Sequence, residues 1–235
     1  MTSSLSRFLF PGLVTLVSLA CGCQWQSVEA TKDRGVLSDC DRCAVRSILE
    51  IMAQAAISEK RQDSDVYQAI APIGMSRIAS MHPLAAQEIV EVLSCTSNGP
   101  TIRSVAALVL GSLGEDAAGT FPELMTIASN QNDPILPWVV SAMGELRAEA
   151  KEAVPHLTLV IETESRKDVP SDLLTASIIA VGNIGQSSRE LIDLLQRIRT
   201  QHGDEDVRLD AEYAYSRIVD REEPNMRWPT FPKVD

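Results

Sequence analysis

Five cysteines and three histidines are the residues of this 235-residue chain with the widest chemical range. Cys40 and Cys43 have the Cys-x-x-Cys spacing of a disulfide, a pair of zinc ligands or a redox motif. A zinc site needs further ligands, and His82, His156 and His202 are scattered singly. A c-type haem needs histidine directly after the second cysteine, where this chain has Ala44. No strand precedes the pair, as a thioredoxin-like site would require. Cys40 and Cys43 are therefore expected to form a local disulfide, or to stay two thiols at the start of a helix, and Cys95 is left single.

Nucleophilic catalysis needs a serine or cysteine beside a base that a third group orients. The chain contains no Gly-x-Ser-x-Gly elbow and no glycine-rich phosphate loop carrying a lysine. Gly111-Ser112-Leu113-Gly114 and Gly182-Asn183-Ile184-Gly185 read instead as helix ends. His82 before Pro83 and His156 after Pro155 read as turn or cap residues, and His202 lies in a polar loop. The acidic run Asp204-Glu205-Asp206 suits the positive end of the next helix better than a cation site. The expected set of catalytic, cofactor-binding and metal-binding residues is thus empty, and a non-enzymatic role is expected.

The elements that would position any site are set by five apolar stripes with helical spacing. One reads Ile102, Val105, Ala106, Val109, Leu110, Leu113. Others begin at Ile135, Leu173 and Val207, and a fifth at Tyr67. The starts lie 35, 33, 38 and 34 residues apart, a period typical of stacked helical repeats. Second helices follow, carrying Leu84 to Leu93, Leu124 to Ala128, Leu157 to Ile161 and Leu191 to Ile198. Gly111, Gly144 and Gly182 recur near the end of the first helix. A glycine there costs about 1 kcal/mol against alanine, so close approach of a neighbour or a helix stop should compensate. Pro122 and Pro155 mark second-helix starts, where proline is tolerated. Pro72 should kink or shorten the Tyr67 helix. A helix over about residues 41–59 lies too near that stripe to be a full unit, and reads as the N-terminal cap.

The formal charge of -11 disfavours a phosphate backbone as partner, so no nucleic-acid role is expected. Residues 1–20 read as a signal peptide, with an apolar run too short to span a bilayer of about 30 Å. Around Leu19-Ala20-Cys21-Gly22-Cys23 the chain resembles a bacterial lipobox. That resemblance implies acylation of Cys21, or alternatively Cys23, and a lipoprotein on the periplasmic or outer face. Ordinary secretion is the alternative. Residues 21–39 form a polar tether, residues 40–220 the helical repeat domain, and residues 221–235 a proline-rich tail.

Residues 102–114 resemble the first helix of a HEAT repeat, of the short type found in phycobilin lyases. Arg103 follows the first apolar residue, small residues fill the middle, and Leu110-Gly111-Ser112-Leu113-Gly114 closes the helix. Val207-Arg208 and Asn183-Ile184-Gly185 echo that pattern. The resemblance covers residues 65–220 and implies an all-α, right-handed α-solenoid of about four to five helical hairpins. Family members include scaffolds, lyase subunits, DNA-repair glycosylases and regulators, so fold alone does not carry function. The expectation is a scaffold for an unidentified protein partner, held at a membrane by its lipid. The alternative is an enzyme or enzyme subunit of the lyase type acting on a small ligand. Second-helix register nominates Glu123, Thr126, His156, Glu162 and Arg189 as partner-binding, and the tail adds Trp228 and Phe231.

Overall fold

The computed structural model describes residues 38–219 apart from 63–65, 82–83 and 168. Every regular element among them is helical, and no strand occurs. Cys21, Cys23, Trp228 and Phe231 lie outside the described residues, and so does the side chain of Cys40. The first helix, α1 (Asp39–Gln62), is longer than expected and takes up the end of the tether. Ser38 explains its start: the Ser38 hydroxyl accepts the Asp41 N–H at 3.2 Å and donates to the Asp41 carboxylate at 2.6 Å. Helix α2 (Val66–Ala79) runs on through Pro72, so of the kink or shortening expected there the shortening does not occur.

The remaining helices alternate. First helices are α4 (Pro100–Ser112), α6 (Leu136–Glu145), α8 (Asp172–Ile184) and α10 (Glu205–Val219). Second helices are α3 (Ala85–Ser94), α5 (Phe121–Ala128), α7 (Val154–Glu164) and α9 (Ile192–Gln201). Pro100, Pro137, Pro122 and Pro155 sit at helix starts, where the missing N–H has no intrahelical partner to lose. Three seven-residue 3-10 segments, Gly114–Thr120, Arg147–Ala153 and Gly185–Leu191, lead from first helix to second. They replace the short turns expected there. Each second helix packs on the first helix that follows it: α3 on α4, α5 on α6, α7 on α8 and α9 on α10.

Side by side, α4 packs on α6, α6 on α8 and α8 on α10. The stripes form these seams, and Leu110, Met143 and Val181 are fully buried. Burying such side chains stabilises by roughly 1.5–3 kcal/mol each. Glycine sets the spacing. A Cβ on Gly111 would lie 3.2 Å from the Ala142 Cα, one on Gly144 would lie 2.6 Å from the Ala180 Cα, and one on Gly182 would lie 2.8 Å from the Ala214 Cα. The recurring glycine is therefore a hole for the alanine of the next unit. Close approach, rather than helix termination, is what compensates its propensity cost.

The amino-terminal end departs from the expected order. Helix α1 packs on α4 as well as on α2 and α3, so it occupies the seam expected for the Tyr67 helix. Helix α2 instead packs on α1, where a Cβ on Gly74 would meet the Met52 side chain at 2.6 Å. The physical reason lies in α1, whose Val45, Ile48, Leu49, Met52, Ala53 and Ala55 are buried over a broad surface. A helix apolar on several sides must be covered on several sides.

Candidate binding site

Two arginines that match the repeat pattern, Arg103 and Arg208, bond the backbone that leads into their own helices. The Arg103 side chain is buried, donating to the Leu93 carbonyl at 2.8 Å and to both Asp133 oxygens at 3.1 and 2.7 Å. It caps the open carbonyl end of α3 and ties that end to the loop entering α6. Arg208 holds the loop between α9 and α10, donating to the His202 and Gly203 carbonyls at 2.7 and 3.1 Å. Both arginines are structural braces. Asp204 closes the start of α10 by accepting the Val207 N–H at 3.1 Å, and His202 accepts the Asp204 N–H at 3.2 Å.

A hollow with a volume of about 540 Å³ lies over the seam between α4 and α6. Its lining includes the small residues Ala107, Gly111, Ser141 and Ala142 of the tight seam. Leu108, Met75 and Trp138 supply apolar walls. Glu115 and Asp116, from the 3-10 segment after α4, line it together with Glu145, the last residue of α6, and Arg147, the first of the next 3-10 segment. Volume and mixed lining fall within the range of ligand-binding pockets.

Glu145 is fixed from behind. Its Oε1 accepts from the Asn183 amide at 3.0 Å, and the Asn183 oxygen accepts from the Tyr213 hydroxyl at 3.2 Å. The Arg217 guanidinium lies over the Tyr213 ring, 6.0 Å from its centre. This polar line crosses α6, α8 and α10. Burial raises the Glu145 carboxyl above the ordinary glutamate range, opposed by the charges of Arg147 and Arg217.

Arg147 has a backbone φ of +55°, in the left-handed region. The equivalent positions in the units before and after are Gly114, at +58°, and Gly185, at +73°. Glycine adopts that conformation freely, whereas a residue with a Cβ is strained by about 1–2 kcal/mol. One unit of the array thus carries a cation where its neighbours carry glycine, and that cation lines the hollow.

The residues nominated from register do not converge. Glu123 and His156 occupy equivalent places early in α5 and α7, each half-buried with one polar atom, Oε2 and Nε2 respectively, lacking a hydrogen-bond partner. Thr126 is exposed and bonds its own helix through the Pro122 carbonyl at 2.9 Å. Glu162 lines a smaller hollow of about 290 Å³ with Arg166, Arg197 and His202. Arg189 is exposed in the 3-10 segment before α9. Cys43 and Cys95 are both exposed. The Cys95 thiol is lowered below its ordinary range chiefly by the Ser97 hydroxyl 3.0 Å away.

Sequence reasoning missed Trp138, Glu115, Glu145 and Arg147 as a group. The available signal was the Gly114, Arg147, Gly185 series, in which arginine replaces glycine at a helix end. No family model matches the chain, and neither a curated protein nor a solved structure matches it.

Proposed function

We propose that the protein is a non-enzymatic HEAT-like scaffold that mediates protein–protein interaction, exported and held at a membrane by a lipid on Cys21 or Cys23. On this reading the first and second helices form a right-handed α-solenoid of about four to five hairpins. The observation that carries it is the repeated joint: Gly111 on Ala142, Gly144 on Ala180 and Gly182 on Ala214. One joint used at three seams builds an extended array, and such arrays offer long continuous surfaces to partners. The Arg103 brace adds support for the HEAT resemblance, because the arginine typical of that pattern has a structural task here.

A photo-reactive residue at Thr126 and, separately, at Glu162 in the membrane-associated protein tests the interaction. Both positions should yield adducts with the same partner protein, and adducts at neither would overturn the proposal. Mass spectrometry of the mature N-terminus tests the address. A diacylated cysteine at position 21, or at 23, is expected, and an unmodified N-terminus beyond residue 23 would leave ordinary secretion.

The enzyme or enzyme-subunit reading has one observation in its favour. The hollow over α4 and α6 combines an enclosed carboxylate with a nearby guanidinium, groups that catalysis can use. Turnover of a small ligand that Glu145→Gln abolishes would move the protein to that class.

A further inference from the structure

We infer that the hollow at the α4–α6 seam is the seat of the chain's own segment 227–233, with Trp228 and Phe231 placed against Met75, Leu108 and Trp138 as an intramolecular cover. Any other occupant of the hollow must then displace that segment, which lies beyond the described residues.

The chain leaves α10 at the right level. Helix α10 ends at Val219, and the register that aligns Gly111, Gly144, Gly182 and Ser216 also aligns Gly114, Arg147, Gly185 and Val219. Gly114 and Arg147 line the hollow, so the exit from α10 stands in the row that forms its rim. Packed helices lie about 8–10 Å apart, which puts the hollow about 20–25 Å from that exit, across α8 and α6. Trp228 follows Val219 by nine residues and Phe231 follows it by twelve. At about 3.3 Å per extended residue their reach is about 30 Å and about 40 Å. Both side chains can therefore arrive with chain to spare.

Shape agrees with reach. Met75, Leu108 and Trp138 are each partly exposed and give the hollow its apolar walls. An apolar cavity of about 150 Å³ holds a benzene ring, so a hollow of about 540 Å³ has room for two aromatic side chains. A residue before proline favours extended backbone, and a polyproline-type segment turns once in three residues. Trp228 precedes Pro229 and Phe231 precedes Pro232. That spacing puts both rings on one side of the segment, about 9 Å apart along it. The Trp138 indole offers them an aromatic partner.

Charge agrees as well. Residues 227–233 carry Arg227 and Lys233 and no acid. The lining of the hollow holds the acidic Glu115, Asp116 and Glu145 against the basic Arg147. A cationic segment is favoured beside such a lining, and an acidic one is not.

The test places the aromatic photo-reactive residue benzoylphenylalanine at position 228 of the full chain and maps its adducts by mass spectrometry. An adduct at the mass of a single chain, joined to Met75, Leu108 or another residue of the hollow, is expected. Leu108→Glu charges the apolar wall and should lower that adduct about fivefold while helical content is kept. A second measurement needs no photo-reactive group. Trp25→Phe with Trp228→Phe keeps the rings of the segment, whereas Trp25→Phe with Trp228→Ala and Phe231→Ala removes them, and both proteins retain Trp138 as their only tryptophan. Acrylamide should quench Trp138 about twofold more in the protein without the rings.

Adducts only outside the hollow, or equal quenching in the two proteins, would overturn the inference. Adducts that join two chains would overturn the intramolecular seat and make a second copy the occupant. Adducts to a different protein in place of the intrachain one would overturn it too, and would give the segment to a partner. None of these results bears on adducts at Thr126 and Glu162, so this inference and the interaction reading fail separately.

Discussion

Gly144→Ala is the substitution by which the seams can be weighed. The added methyl would stand 2.6 Å from the Ala180 Cα and 2.9 Å from its Cβ. Ordinary contact begins near 3.4 Å, so α6 and α8 must part by about 0.8 Å at that point. The obstructing atoms are backbone and the first side-chain carbon, so no rotamer change relieves them. Overpacking of this kind costs about 1–3 kcal/mol, and a backbone obstacle belongs at the upper end. Alanine returns up to about 1 kcal/mol of helix propensity. The net loss is about 1–2 kcal/mol, which for a domain of this size lowers Tm by roughly 2–8 °C. Thermal unfolding followed by far-ultraviolet circular dichroism reads it. Gly182→Ala should cost somewhat less, because its nearest atom is at 2.8 Å, and Gly111→Ala, at 3.2 Å, should be close to neutral. Ala180→Gly should partly relieve Gly144→Ala, giving a coupling of at least about 0.5 kcal/mol. A Gly144→Ala protein as stable as the parent, or a Gly111→Ala protein harmed more, would refute the joint.

Other substitutions probe single contacts. Arg103→Ala strands the Asp133 carboxylate, whose side chain is 8% exposed, and should cost about 3–5 kcal/mol in urea unfolding. Arg147→Gly relieves the left-handed strain and should gain about 1 kcal/mol, whereas Arg147→Ala keeps the strain and should gain nothing. Asp210 in α10 is pushed up to about 6, first by burial and then by Asp206 and Asp204, against the Thr175 hydroxyl that donates to it. Its folded value lies above the ordinary 3.8, so the fold binds this proton more tightly than the unfolded chain does. This group therefore opposes folding above about pH 6, and the penalty fades as pH falls toward 4. Asp210 keeps solvent contact, so screening discounts the effect to about 1 kcal/mol. Asp210→Asn should be the more stable protein at pH 8, and its advantage should vanish near pH 4; an advantage independent of pH would contradict this.

The four stripes that start at Ile102, Ile135, Leu173 and Val207 were legible because a buried helical face must repeat at helical spacing. Each became a first helix, and Leu110, Met143 and Val181 lie buried at the seams. Periodicity says which face is apolar but not what covers it. For that reason α1 and α2 exchanged the places expected of them. The 3-10 segments were not legible, since their residues, such as Arg147–Ala153, carry no apolar period of their own. The hollow is made of residues that belong to three separated stretches and share no pattern. Only Arg147, out of step with Gly114 and Gly185, marked it in advance. Glu123 and His156 lie early in the second helices α5 and α7, but nomination by register alone does not say which side chains share a cavity.

The glycine hole and alanine knob also govern where growth of the stack stops. A unit with a hole on one side and a knob on the other is a head-to-tail joint, and head-to-tail joints that do not close propagate into filaments. Here the joint is withdrawn at both ends of the series. The place taken by Ala142, Ala180 and Ala214 is held in α4 by Val109, too large for a hole shaped to a single methyl. The place taken by Gly111, Gly144 and Gly182 is held in α10 by Ser216, whose hydroxyl is occupied with the Tyr213 carbonyl at 2.9 Å. Three seams are thus welded by the same two small residues, and the joint ends where Val109 and Ser216 take their places.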